Sequence, residues 1–168
     1  IICDGIYSSD LTRAAETAEI LRLERKLAVV HHKALRERTF GIYDGYYGDA
    51  YTKEVEHLLQ QYHLLPEEER WRFKFADGYE SDFELVDRFT AALREISSQF
   101  LGKTVLVVTH GGNLRSFLTH LGFAPHGELS PGTFKNSGYI KVHSDGTEFF
   151  LEEVEGVDKS QGIALRTL

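Results

Sequence analysis

The apolar and polar positions of this chain change period several times, and each change predicts an element. Ile1 to Tyr7 reads as a short strand. Ser8, Ser9 and Asp10 follow with side chains suited to capping a helix, and Leu11, Ala14, Ala15, Ala18 and Leu21 then recur at helical spacing. Leu27 to His31 predicts a second, buried strand, and Lys33 to Tyr47 an irregular loop punctuated by glycine. Asp49 to Tyr62 is amphipathic and predicts a helix; the polar stretch onward to Asp77 carries Trp71, Phe73 and Phe75 and reads as an excursion outside the main core. Ser81, followed three residues on by Glu84, forms a capping box. It opens a long helix whose apolar face is Phe83, Val86, Phe89, Leu93, Ile96 and Phe100. Thr104 to Val108 is a β-branched run of the kind found in a central strand covered on both faces. A tight turn, Thr109 to Gly112, leads into a helix over Asn113 to Leu121. Gly138 to His143 and Glu148 to Val154, joined through Asp145-Gly146, predict a hairpin.

Strands alternating with helices predict an α/β fold, a three-layer α/β/α sandwich with a mostly parallel sheet and an antiparallel edge. A length of 168 residues without repeats or linkers predicts a single domain over 1–168, with a helical, lid-like excursion at about 46–79. The formal net charge of −7 argues against nucleic-acid or anionic-membrane binding, so any anion site must be a local cluster of cations. One cysteine, Cys3, excludes an internal disulfide and favours a reducing, cytoplasmic setting. The eight histidines form no metal-ligand spacing, and no metal or cofactor is expected. The chain contains no methionine, even at position 1, and opens mid-strand, which predicts a truncated sequence.

Three segments after predicted strands carry candidate chemistry. In Ser8-Ser9-Asp10-Leu11-Thr12-Arg13 the arginine falls in the first helical turn, where free N–H groups, the helix dipole and a guanidinium together attract an anion. The competing reading pairs Arg13 with Asp10 or Glu16. In Thr109-His110-Gly111-Gly112 the histidine follows a strand, and the two glycines let the backbone approach a ligand. The competing reading is a hydrogen-bonded loop histidine beside a simple turn. In Leu35-Arg36-Glu37-Arg38, Glu37 could act as general acid and base, or form an ordinary surface ion pair. Together a cation, an imidazole and a carboxyl suit phosphoryl transfer, where positioning and charge stabilisation dominate.

Four blocks in order resemble the histidine phosphatase (phosphoglycerate mutase-like) superfamily. They are Ser8-Ser9-Asp10-Leu11-Thr12-Arg13-Ala14 with Thr17-Ala18; Leu35-Arg36-Glu37 with Phe40-Gly41 and Asp44-Gly45; Gly78 to Ser81; and Val107-Val108-Thr109-His110-Gly111-Gly112 with Arg115. The resemblance implies a phosphatase acting on small phosphorylated metabolites, such as sugar phosphates, through a phosphohistidine. Glu37 would protonate the leaving oxygen and activate water. His110 and Arg13, with the Gly111-Gly112 backbone, would hold the phosphoryl group, without metal. It also implies a nucleophilic histidine in an Arg-His-Gly strand near the middle of the sheet. That motif is absent here, so the expected fold lacks its first strand and the isolated chain is expected to be unstable. His31, His32, His57, His63, His120, His126 and His143 lie in contexts that do not fit the nucleophile. The short span from Glu37 to His110 favours a phosphatase. A mutase-type phosphotransferase and a non-catalytic phosphate-binding module are the alternatives. Oligomeric state is not legible.

Overall fold

The computed structural model describes residues 2–23, 25–46, 49–129 and 131–157. Ile1 and Tyr47, included in the expected first strand and loop, and the side chain of Tyr51 lie outside what is described. Strand β1 (Gly5–Ser8) is buried at every position and is the centre of a parallel three-stranded sheet. On one side it pairs with β2 (Val29–His31), on the other with β3 (Val105–Val108). Tyr7 faces the core built by α4 (Asp82–Gln99) and α5 (Gly111–His120), meeting the Phe100 ring edge-on at 6.0 Å. Ile6, its neighbour along the pleat, points to the opposite face, where α1 (Thr12–Arg22) packs with Ala14 and Ala18 buried. Helices on both faces of a parallel sheet make this an α/β fold.

The excursion consists of α2 (Asp49–Leu64), the short α3 (Glu67–Arg70) and an aromatic turn that returns to α4. Tyr62, Phe73, Phe75 and Tyr79 contact one another in sequence, with ring centroids 4.9 to 5.6 Å apart. Gly41 hooks this return to the Glu37 loop: its φ is +61°, and a Cβ there would overlap the Asp77 carbonyl. The capping box forms as predicted, Ser81 Oγ accepting from the Glu84 amide and Glu84 accepting from the Ser81 amide. Phe117, fully buried, joins Phe89 of α4 (5.4 Å) to Phe149 in the C-terminal hairpin (5.6 Å). Burying an aromatic of this size contributes roughly 2–3 kcal/mol.

The hairpin β4 (Phe134–Ser144) and β5 (Phe149–Val157) is longer than its apolar alternation suggested and hydrogen-bonds as a separate antiparallel sheet. Ile140, Val142 and Phe149 nevertheless pack on the same core as Val105 and Val107 of β3.

Four expectations are corrected. β2 is an edge strand with Val30 45% exposed, because it pairs only with β1. β3 is half-buried at the other edge of the parallel sheet, not covered as a central strand. Phe83 lies 44% exposed under the Arg72 guanidinium, 3.9 Å from its centroid, since α4 turns Leu85 and Val86 inward instead. The Gly111-Gly112 pair forms the first turn of α5, not a tight turn before it.

Candidate phosphate-ester site

Parallel register brings the three candidate segments to one place. Ser8 pairs with His31 on one side and Val108 on the other, so the chain leaves all three strands at the same carboxyl edge. There the loops after β1, β2 and β3 present Ser9 to Arg13, His32 to Arg38, and Thr109 to Gly112.

His110 is buried and shares a 2.8 Å hydrogen bond between its Nε2 and Ser9 Oγ. Ser9 Oγ also accepts from the Leu11 amide at 3.2 Å, and the Ser9 amide donates to the Val108 carbonyl at 2.9 Å. Ser9 was expected to offer helix-cap chemistry, but α1 begins at Thr12 without a side-chain cap, and the hydroxyl serves the histidine. Burial, reinforced by the Arg13 charge, pushes the imidazole down to about 4 against the opposing pull of Glu37, so His110 is neutral at pH 7.

Glu37 is held by two backbone donors. Its Oε1 accepts from the Arg38 amide at 2.9 Å and its Oε2 from the Gly112 amide at 3.1 Å. Gly112 is required for the second bond: a Cβ there would overlap Glu37 Oε1 and lie 2.9 Å from Cδ. Gly111 meets no such restriction, its added Cβ finding only Phe134 Cβ at 4.0 Å. Arg13 stands exposed in the first turn of α1, and its guanidinium makes no hydrogen bond or ion pair with the described residues. The Asp10 carboxylate is already engaged by Arg36 through two 2.7 Å bonds, which removes one of the competing partners for Arg13.

The sequence did not reveal how the Glu37 loop is held. Asn113, fully buried, donates from Nδ2 to the carbonyls of Leu35 (3.1 Å) and Arg36 (2.9 Å) and to Thr109 Oγ1 (2.7 Å). Thr109 in turn donates to the Leu35 carbonyl at 2.9 Å. From α4, Arg88 donates to the carbonyls of Ala34 (2.6 Å) and Arg36 (3.1 Å) while pairing with Glu80. Asn113 had a signal: it sits one turn before Phe117, a polar residue on the apolar stripe of α5.

Arg38 was read only as the neighbour of Glu37. It is 7% exposed and pairs with Asp82 of α4, while donating to Ser116 Oγ at 3.0 Å and Tyr79 Oη at 3.4 Å. Asp82 also accepts from Ser116 Oγ at 2.7 Å and bonds His126 Nε2 at 3.0 Å. Burial alone would raise the Asp82 carboxyl, but the His126 bond and the Arg38 charge outweigh it and hold it far below the usual range. The His126 ring lies against Trp71, with centroids 4.5 Å apart and planes tilted by 33°, and its Nδ1 faces Tyr62 Oη at 3.4 Å.

The parallel sheet thus gathers a histidine, an arginine and a carboxylate at its carboxyl edge. The chain belongs to the histidine phosphatase superfamily (branch 1), whose model matches residues 1–155. It is 37% identical over 112 residues to phosphoglycerate mutase-like protein 4 of Arabidopsis thaliana, covering 66% of this chain and 47% of that protein. It is 32% identical over 150 residues to the metal-independent phosphoserine phosphatase of the same plant, covering 88% of this chain and 59% of the relative. The chain thus spans about half the length of these relatives. Among solved structures, YhfR of Bacillus stearothermophilus superimposes with a TM-score of 0.75 at 26% identity, covering 94% of this chain and 76% of that one. Among the described residues no helix is long and apolar enough to cross a membrane.

Proposed function

We propose that this chain carries the acid–base and phosphate-holding part of a phosphatase for small phosphomonoesters, working through a phosphohistidine. The nucleophilic imidazole would come from an Arg-His-Gly segment outside these 168 residues. The observation that carries the reading is the convergence of His110, Glu37 and Arg13 on one sheet edge, with Arg13 unpaired among the described residues and Asp10 occupied elsewhere. Single-domain organisation, with the segment at about 46–79 as a lid over the edge, is part of the same proposal.

In the first step the imidazole nitrogen forms a bond to phosphorus as the bond to the ester oxygen breaks, and the Glu37 carboxyl gives its proton to that oxygen. In the second, water attacks phosphorus, Glu37 takes the water proton, and the N–P bond breaks to release inorganic phosphate. Charge growing on the phosphoryl oxygens is met by the Arg13 guanidinium. A neutral His110 still donates. With the Leu11 amide supplying Ser9 Oγ, the Ser9 hydroxyl can donate to Nε2, which places the imidazole proton on Nδ1 for a phosphoryl oxygen.

The test uses the protein translated from its complete coding sequence. Phosphomonoester hydrolysis with an acid-labile, base-stable phosphoprotein trapped during turnover is the expected result. Hydrolysis with no such intermediate would overturn the covalent route. Phosphate binding by the 168-residue chain, without turnover in either form, would instead mark a non-catalytic anion-binding module. In any of these forms Arg13→Ala should weaken inorganic phosphate binding about tenfold, a charge-assisted bond's worth, read by isothermal titration.

A further inference from the structure

The Glu37 carboxylate is oriented by two amides, and both belong to residues anchored by one buried polar cluster. The first amide is that of Arg38, whose side chain runs the other way into Asp82, Ser116 and Tyr79. The second is that of Gly112, on the helix turn directly before Ser116, which bonds both Arg38 and Asp82. Asp82 therefore touches both supports at once without touching Glu37. Its second oxygen is held by His126, which Trp71 and Tyr62 of the excursion cover.

We propose that Asp82 is the positioning residue for Glu37, acting through Arg38 and Ser116, and that His126 links this support to the excursion. The inference rests on the proposed acid–base role of Glu37. Three observations favour positioning over simple stability. Arg38 is 7% exposed and its ion pair is internal, so its charge is withheld from the open edge. Two peptide N–H groups that must aim at a single carboxylate need their residues held from more than one side, which one arginine–carboxylate ion pair and one serine provide. Finally, Asp82 opens α4 immediately after the Ser81 capping box, so it sits on a rigid helix end, not on the loop it braces.

A displaced general acid has a recognisable signature. Expulsion of p-nitrophenolate needs almost no proton, whereas an alkyl oxygen cannot leave without one. In the protein from the complete coding sequence, Asp82→Asn should lower kcat/KM, which ends at release of the alcohol, about a hundredfold for glycerol phosphate and by less than threefold for p-nitrophenyl phosphate. Inorganic phosphate affinity should hold steady. Ser116→Ala, which removes one strut and keeps the ion pair, should show the same pattern at roughly tenfold, with its melting transition checked to exclude loss of fold. Combined with Glu37→Gln, neither change should cost more, because the acid it serves is gone. Equal losses of kcat/KM on both esters, or additive losses in the Glu37→Gln background, would overturn the positioning role. If Glu37→Gln itself leaves glycerol phosphate hydrolysis intact, the acid–base reading fails instead.

Discussion

Glu37 and Arg38 are neighbours in sequence and opposites in environment. On the Glu37 side, at the sheet edge, Arg13 stands without an ion pair among the described residues, and His110 is kept uncharged by burial and a nearby cation. On the Arg38 side, under the excursion, the guanidinium of Arg38 is paired with Asp82, and Asp82 is bonded to Ser116 and His126. An exposed guanidinium with no carboxylate on it is open to an anion, whereas a buried matched pair is nearly neutral in its effect until one partner is removed. On the proposed function, the contrast separates groups kept for a ligand from groups kept for the frame.

That division can be broken in a graded way. Glu37→Gln should have the largest consequence, a loss of 10²- to 10⁴-fold in kcat for alkyl phosphates with the melting temperature nearly unchanged. Asp82→Ala should do the reverse in stability, lowering the unfolding free energy by about 3–5 kcal/mol in denaturant titration because Arg38 would be left buried and unpaired. Acid should expose His110. Its folded value near 4 lies below the unfolded 6.5, so the unfolded state binds the proton first and stability falls as pH drops through that window. The loss is up to roughly 3 kcal/mol between those limits, and His110→Gln should flatten it in urea titrations at stepped pH. The smallest effect is expected for Asp10→Asn, which breaks the solvent-facing pair with Arg36 and should leave the thermal midpoint where it was.

Local patterns were legible and distant pairings were not. The Ser81 capping box, the β-branched run ending at Val108 and the Asp145-Gly146 turn each state their geometry within a few residues, and all three form. Arg13, Glu37 and His110 could be singled out because each follows a strand, and parallel strands must end together. By contrast the Arg38–Asp82 pair spans 44 residues, and nothing near Arg38 announces that its side chain turns inward. The exposure of Val30 and Phe83 depended on which strand lies outermost and which face of α4 meets Phe117. Those are properties of assembled layers and leave no trace in a local period.

Gly112 has a consequence for how such a site can fall silent. The space a methyl group would need is already filled by the Glu37 carboxyl. One extra carbon on α5 would therefore evict the acid while leaving Arg13, His110 and the buried pair where they are. On the proposed function, a single alanine would convert the hydrolase into a receptor for the same ester, through volume alone and with no charge altered.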